Sequence, residues 1–210
     1  MEQLSDAWVA ARIGKVTASR IADMTAKTKT GWGASRANYA AQLVAERLTG
    51  TVQESYTNAA MQHGIDTEPE ARAAYAFRTD AEVVEVGFID HPRIPMTGAS
   101  PDGLVRGDGV LELKCPNTAT HIDTLLGGTV PGKYIAQMQW QMACAGRNWC
   151  DFVSFDPRMP ESMRLFVYRV PRDHAVITDL EKQVADFLAE LDAKVTALRN
   201  IYERNRAEAA

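Results

Sequence analysis

Residues 100–115 read SPDGLVRGDGVLELKC, two short apolar runs on either side of a glycine-rich turn. The pattern predicts a β-hairpin with a three-residue loop at 107–109, whose last position is a left-handed glycine. That loop length pairs residue 102 with residue 114. Because alternate residues of a strand share a face, we expect Asp102, Glu112 and Lys114 to converge on one side of the hairpin.

Two carboxylates placed together in this way need a counter-charge. At about 5 Å they repel by roughly 3 kcal/mol at an effective dielectric near 20. A divalent cation bound by Asp102 and Glu112 offsets this repulsion and activates a bound water, which Lys114 can hold or help to deprotonate. Hard oxygen ligands favour Mg²⁺ or Mn²⁺. The alternative to a metal site is that Asp102 is an ordinary turn residue. Glu112 and Lys114 would then lie on the solvent-exposed face of the hairpin.

The composition is that of a globular protein of 210 residues with a formal net charge of −4. This charge argues against a protein that coats nucleic acid without specificity. Residues 1–50 nevertheless carry seven Lys and Arg against four Asp and Glu. A local basic groove in the N-terminal quarter therefore remains compatible with the acidic whole.

The chain has only three cysteines, too few for a four-cysteine zinc or iron–sulfur site, and they show no CxxC spacing. The N-terminus lacks a basic region followed by an apolar run, and no stretch approaches the roughly 20 apolar residues of a membrane span. We expect a cytoplasmic protein without a membrane segment.

The element pattern predicts an α/β fold with a mixed central sheet, in one domain over residues 1–210. A capping box at 67–70 predicts a helix start, and 82–90 alternates as a strand. Ser35 is expected to cap a helix that Gly50 closes. Thr178 and Glu181 form a second capping box, which predicts a C-terminal helix over about 178–205.

Several motifs together resemble the lambda exonuclease and YqaJ-like viral recombinase family of PD-(D/E)xK nucleases. They occur in the family's order between about residues 8 and 187 and are ARIGKVTASRIADM, MQHGIDTEPEARAAY, TGASPDGL, LELKCP, YIAQMQWQM and FDPRM. The resemblance implies a restriction-endonuclease-like core in which helices flank the mixed sheet. It also implies that Asp102, Glu112 and the backbone carbonyl of Leu113 bind the catalytic metal, and that Lys114 positions or activates the attacking water.

The resemblance extends to residues around this centre. Glu68 resembles an additional acidic residue near the metal, and Gln137 a glutamine near the active site. Met61 falls where the family places an apolar wedge that helps to separate the terminal base pairs. Lys27 and Lys29 lie in a polar loop suited to contact the DNA backbone. From the residues alone, Glu68 would be an acid in the first turn of a helix, Gln137 a polar residue on a helix surface and Met61 a core residue.

A second group resembles the pocket that holds the 5′-phosphate of a DNA end. Arg12, Ser19 and Ser100 match it, with Thr17 beside them. An arginine makes charged, bidentate contacts with phosphate, and a helix N-terminus presents free N–H groups to an anion. Without the resemblance, Thr17 and Ser19 would be helix caps and Arg12 a surface charge.

The resemblance implies a Mg²⁺-dependent 5′→3′ exonuclease, with Mn²⁺ able to substitute, that digests linear double-stranded DNA. It would release 5′-mononucleotides and leave 3′ single-stranded overhangs for a single-strand annealing protein, in phage or prophage recombination inside a bacterial cell. The family forms ring-shaped homotrimers around the duplex. The alternatives are a catalytically inactive DNA-end-binding subunit and a RecB-like or Cas4-like nuclease of different polarity.

Overall fold

The computed structural model describes residues 3–53 and 59–203. Its helices are α1 (Asp6–Arg12), α2 (Ile21–Met24), α3 (Ala34–Thr49), α4 (Ala59–Thr79), α5 (Thr118–Gly127), α6 (Ile135–Ala145) and α7 (His174–Tyr202). Its strands are β1 (Val16–Thr17), β2 (Lys27–Thr28), β3 (Gly31–Trp32), β4 (Val83–Val84), β5 (Ile89–Asp90), β6 (Thr97–Ala99), β7 (Gly103–Val105), β8 (Gly109–Lys114), β9 (Trp149–Phe155) and β10 (Leu165–Pro171). Short 3-10 turns lie at Ala18–Arg20, Gly132–Tyr134 and Glu161–Met163.

A five-stranded sheet in the order β10-β9-β8-β7-β4 forms the centre of the fold. Strands β8 and β9 are parallel, and the other neighbouring pairs are antiparallel. The predicted α/β class with a mixed central sheet is confirmed. Strand β8 is buried along almost its whole length, as expected of a strand covered on both faces.

Helices cover both faces of this sheet around β8. One face packs against α4 through Ala71, Tyr75, Leu111 and Leu113. The opposite face packs against α6 through Val110, Met138, Met142 and Phe152. Since residues 110, 112 and 114 share a face of β8, Glu112 and Lys114 point to the α6 side of the sheet.

A further core joins the N-terminal helices to α6 and α7. Its large buried side chains include Ile21, Tyr39, Leu43, Trp140, Phe187 and Leu191. A small sheet in the order β1-β6-β5 pairs Val16 with Thr97 and Thr17 with Gly98. This pairing places the basic N-terminal segment beside Ser100 and the loop that leads into β7.

The hairpin forms, but its predicted register is wrong by two residues. Gly103 pairs with Leu111 and Val105 with Gly109, so the three-residue loop is 106–108 and residue 102 lies opposite 112. The left-handed residue is Arg106, with φ of 52°. Gly109 instead belongs to β8, where a Cβ would collide with the ring of Trp149. A shift of two keeps every side chain on its expected face.

Helix α4 does not begin at the capping box of 67–70. It runs from Ala59 through Pro69, and the hydroxyl of Thr67 lies 3.3 Å from Nδ1 of His63, one helical turn earlier. Proline removes one backbone hydrogen bond, a loss that packing of Ala71 and Tyr75 against the sheet offsets. Because the helix begins before residue 67, Met61 lies on the same helix face as Glu68, two turns earlier.

The starts of α7 and α3 also differ from the predictions. Asp173 caps α7 by accepting hydrogen bonds from the N–H groups of Ala175 and Val176, so the helix begins four residues before Thr178. Glu181 pairs with Arg93 instead. The structure describes α7 through Tyr202, and residues 204–205 of the predicted helix lie outside the described residues.

Gly33, rather than Ser35, occupies the N-cap of α3, and the predicted Gly50 closes that helix in a left-handed conformation. The single strand predicted over 82–90 is instead divided between two sheets. Strand β4 pairs with β7 in the large sheet and β5 with β6 in the small one. The alternating residues of 82–90 therefore pair with two different strands, β7 and β6.

No helix in the described part of the chain is long and apolar enough to cross a bilayer.

Candidate active site

The loop before β7 and the end of β8 bring Asp102, Glu112 and Lys114 together. The backbone N–H of Asp102 donates to the carbonyl of Leu111 at 3.1 Å, which extends the hairpin pairing by one residue. Its side-chain Oδ2 accepts a hydrogen bond of 2.6 Å from the N–H of Leu113. Lys114 Nζ forms an ion pair with Glu112 Oε1. The three side chains line the same cavity.

Glu112 is 1% exposed and has three side-chain donors. Gln137 Nε2 donates to Oε1 at 2.6 Å, and Gln141 Nε2 donates to Oε2 at 2.5 Å. Lys114 supplies the third donor, to Oε1. Both glutamines lie on α6, four residues apart and hence on one helix face.

The electrostatics of the cluster follow from its burial. Burial raises the pKa of Asp102 well above its ordinary value, with further contributions from Glu112 and Glu68 that Lys114 opposes. Burial alone would lower the pKa of Lys114, but the charges of Glu112 and Asp102 outweigh it and raise that pKa. The lysine is therefore a stable cation that balances part of the negative charge of Glu112 and Asp102.

Glu68 approaches the cluster from α4. Burial raises its pKa, and the neighbouring Arg72 opposes that rise. Arg72 NH2 donates to Glu68 Oε1 at 2.5 Å, and Arg72 Nε donates to the carbonyl of Asp102 at 3.3 Å. This arginine thus connects the acid on α4 to the loop that carries Asp102.

A second polar group lies on the N-terminal side of the cavity. Ser100 Oγ receives hydrogen bonds from Trp8 Nε1 at 2.9 Å and from Arg12 NH1 at 3.3 Å. The guanidinium of Arg12 also stacks on the Trp8 ring at 3.9 Å. Burial lowers the pKa of Arg12, which Tyr39 and Glu46 oppose. The partly buried guanidinium of Arg12 therefore contacts Ser100, two residues before Asp102.

Thr17 and Ser19 lie beside this group, with their hydroxyl oxygens 3.3 Å apart. Thr17 occupies the N-cap of the short 3-10 turn, but its side chain does not cap it. Both side chains line the cavity and remain available for another hydrogen-bond partner. The hydroxyls of Thr17 and Ser19 therefore contact each other, and the Thr17 side chain does not act as a helix cap.

These residues surround one cavity of about 570 Å³. Its lining contains most of the predicted site residues: Arg12, Thr17, Ser19, Met61, Glu68, Ser100, Asp102, Glu112, Leu113, Lys114 and Gln137. Met61 and Glu68 reach it from one face of α4, two helical turns apart. Lys27 and Lys29 do not line it, because they lie on the exposed β2–β3 ribbon with Trp32.

Sequence reasoning missed several residues that complete the site. Trp8 and Arg72 touch Ser100 and the Asp102 loop, and Gln3 donates to the carbonyl of Pro101 at 2.8 Å. Tyr134 and Gln141 also line the cavity. For Gln141, the signal was its spacing of one helical turn from Gln137. The contacts of Trp8, Gln3 and Arg72 join distant parts of the chain and leave no local pattern.

The donor set fits a hard divalent cation. Among residues 3–53 and 59–203, no three His, Cys, Asp or Glu side chains form a metal cluster, so a metal here would rest on two carboxylates and backbone oxygen. Three of the roughly four acceptor positions of Glu112 are used, which leaves one for a cation. Burial raises the pKa of Asp102 and the charge of Glu112 adds to this rise, so a bound cation would stabilise the ionised carboxylate.

The model of the YqaJ-like viral recombinase domain matches residues 7–148 of the chain. The chain belongs to this family. It is also similar to an alkaline exonuclease, LHK-Exo from Laribacter hongkongensis, with 52% identity and a TM-score of 0.88 over 98% of this chain and 100% of that one. A structure of LHK-Exo in complex with dAMP matches at 53% identity and a TM-score of 0.89, with the same coverage.

A phage-related exonuclease from Haemophilus somnus 129PT shares the fold of this family member, with a TM-score of 0.69 at 15% identity over 88% of this chain and 96% of that one. No match was found among curated protein sequences. The full-length similarity to LHK-Exo supports a nuclease of the YqaJ-like family.

Proposed function

We propose that this protein is a Mg²⁺-dependent exonuclease that digests linear double-stranded DNA from 5′ ends and releases 5′-mononucleotides. The observation that carries the proposal is the placement of Asp102, Glu112 and Lys114 in the same cavity as Arg12 and Ser100. One part of the cavity offers carboxylate oxygens that can bind a metal, together with the ammonium group of Lys114. The other offers hydrogen-bond donors for a phosphate.

In this proposal Asp102, Glu112 and the carbonyl of Leu113 hold the metal. Nucleases of this family generally use a divalent metal, and such an ion supplies Lewis-acid stabilisation of the phosphate and a lowered pKa of water. Lys114, a stable cation, donates a hydrogen bond that orients the attacking water or the phosphate. Glu68 adds an acidic group at the α4 side, and Gln137 holds Oε1 of Glu112 in place.

The 5′ polarity is proposed from the neighbourhood of Ser100 and Asp102. Arg12 and Ser100, with Thr17 and Ser19, would bind the terminal 5′-phosphate through charge-assisted hydrogen bonds. Because Ser100 and Asp102 are separated by one residue, a phosphate held there places the first internucleotide bond near the carboxylates. The dAMP complex of LHK-Exo agrees with a mononucleotide product.

Three more residues would contact the duplex outside this pocket. Met61 is 49% exposed at the rim, where an apolar side chain can separate the terminal base pairs. Lys27 and Lys29 on the exposed ribbon would contact DNA phosphates. We further propose a homotrimeric ring that acts with a single-strand annealing protein in the bacterial cytoplasm and leaves 3′ single-stranded overhangs.

The test is digestion of a linear duplex labelled at either the 5′ or the 3′ end, with Mg²⁺ and with EDTA. Early release of the 5′ label as a mononucleotide, with Mg²⁺ and not with EDTA, is the expected result. Early release of the 3′ label would indicate the opposite polarity. End binding without digestion under any metal condition would indicate a catalytically inactive DNA-end-binding subunit.

A further inference from the structure

Gln141 is a buried glutamine next to the candidate metal ligands. It is fully buried on α6, and its Nε2 donates to Oε2 of Glu112 at 2.5 Å. Gln137 donates to the other carboxylate oxygen of Glu112 at 2.6 Å. Each of the two amides therefore holds one oxygen of the carboxylate, and both amides come from α6.

The orientation of the Gln141 amide follows from chemistry. An ionised carboxylate only accepts hydrogen bonds, so the NH₂ end of the amide must face Glu112 and the oxygen must face away. That oxygen, Oε1, is buried and has no hydrogen-bond partner among the residues that the structure describes. An unpaired buried amide oxygen is unfavourable for folding, so stability alone does not account for a glutamine at this position.

The other side chains of α6 show what an ordinary buried residue does on this helix. Met138 and Met142 pack in the apolar core against the sheet. Gln139 is buried as well, but both ends of its amide are used: Nε2 donates to the carbonyl of Pro171 and Oε1 accepts from the N–H of Asp173. Gln139 thus joins α6 to the start of α7, whereas Gln141 makes its one hydrogen bond to Glu112.

We infer that Gln141 is a positioning residue that holds Glu112 in the orientation required for metal binding. The inference rests on the proposed function, because it assumes that Glu112 is a metal ligand. Groups that hydrogen-bond to a ligand carboxylate typically change metal affinity or activity by about 10–100-fold when removed. Loss of the Gln141 amide leaves Oε2 of Glu112 without a donor and lets the carboxylate rotate about its remaining contacts.

The experiment compares Gln141→Met with the matched control Gln139→Met. Both replace a buried glutamine of α6 by an unbranched apolar side chain of similar length. Mn²⁺ affinity is measured by isothermal titration calorimetry on the full chain without DNA, and thermal unfolding is measured in EDTA. We expect Gln141→Met to weaken Mn²⁺ binding about 10–100-fold. Gln139→Met should lower the melting temperature and keep the wild-type Mn²⁺ affinity.

Kinetics provide the second readout. For Gln141→Met, the Mg²⁺ concentration that gives the half-maximal rate should rise by a similar factor, while KM for the DNA duplex stays near that of the wild type. If Gln141→Met does not fold, Gln141→Asn replaces it. Asparagine keeps the amide but is one methylene too short to reach Glu112, so a weaker Mn²⁺ affinity is again expected.

The outcomes separate the two proposals. Wild-type Mn²⁺ affinity in the folded Gln141 variant would overturn the positioning role and leave the proposed function intact. An equal loss of Mn²⁺ affinity in the Gln139 and Gln141 variants would indicate general destabilisation. That result would also overturn the positioning role of Gln141. A wild-type protein that binds no Mn²⁺ would overturn the proposed function, and the positioning role with it.

Discussion

The carboxylate of Asp102 accepts a hydrogen bond of 2.6 Å from the backbone N–H of Leu113, the residue after Glu112. A side chain from the loop before β7 is thereby fixed to the strand that carries Glu112 and Lys114. An asparagine at position 102 can still accept this hydrogen bond while it removes the charge. Charge and geometry can therefore be separated experimentally.

Asp102→Asn should lower the Mg²⁺-dependent rate by about a thousandfold, since Lewis-acid stabilisation is worth several kcal/mol and each 1.36 kcal/mol is a factor of ten. The fold should be retained. In EDTA at neutral pH its melting temperature should equal or exceed that of the wild type, because burial and nearby carboxylates disfavour the ionised aspartate. Rates on a labelled duplex and thermal unfolding check both points. Mg²⁺-dependent turnover at the wild-type rate would remove Asp102 from the site.

Lys114→Met tests the role of the lysine separately from the metal. We expect a rate at least about 100-fold lower, the size of a typical acid–base or charge contribution. Mn²⁺ affinity should stay near the wild-type value, because the metal ligands remain. Calorimetry and single-turnover digestion measure the two quantities on the same preparation. A collapse of Mn²⁺ affinity in this variant would contradict the role given to Lys114.

Arg12→Ala should remove most of the preference for phosphorylated over hydroxyl 5′ ends. A hydrogen bond to a charged group is worth about 1.5–3 kcal/mol, so the ratio of rates should fall by roughly 10–150-fold. Lys15→Met is the control, since Lys15 pairs with Asp90 at 2.6 Å and does not line the cavity. The ratio of initial rates on the two duplexes is the measurement. An unchanged ratio in Arg12→Ala would argue against a phosphate site at Arg12.

Asp156 gives a prediction about acid stability. Burial would raise its pKa, but hydrogen bonds from Arg158 and Thr118 hold it at about 2, below the ordinary value of 3.8. The ionised aspartate therefore stabilises the native state above pH 3.8, and this stabilisation is lost as the pH falls from 3.8 towards 2. Asp156→Asn should lower the free energy of unfolding at pH 7 by about 2 kcal/mol, at 1.36 kcal/mol per pH unit.

The same variant should show a shallower loss of stability between pH 4 and pH 2. Urea unfolding at several pH values measures both effects. Asp123→Asn, at an exposed position on α5, serves as the control and should behave as the wild type. Equal acid sensitivity of wild type and Asp156→Asn would show that the ion pair does not contribute.

The proposed ring predicts a mass and a salt dependence. A nuclease with a net charge of −4 that held DNA by charge alone would dissociate as salt rises, because phosphate contacts weaken steeply with ionic strength. Light scattering should give about three times the chain mass of 23.1 kDa. Digestion that has begun should continue at salt concentrations that block new loading. A monomer with salt-sensitive, distributive digestion would contradict the ring.

The sequence determined the face on which Asp102, Glu112 and Lys114 lie. The alternation of a strand has a period of two, so a register displaced by two residues left the side chains on the predicted side. The motif order likewise indicated the family, and the mixed sheet followed from the order of predicted elements. These properties depend on local periodicity and on residue identity, and both can be read directly from the amino-acid sequence.

The tertiary structure decided what surrounds those residues. Trp8 reaches Ser100 across 92 positions of sequence, and Gln141 reaches Glu112 across 29. The start of α4 and the division of 82–90 between two sheets were also decided by packing. A capping box or an alternating run specifies a local preference of about 1 kcal/mol, which burial against distant partners readily outweighs. The two amides that hold the Glu112 carboxylate come from such distant partners, so only the folded chain reveals them.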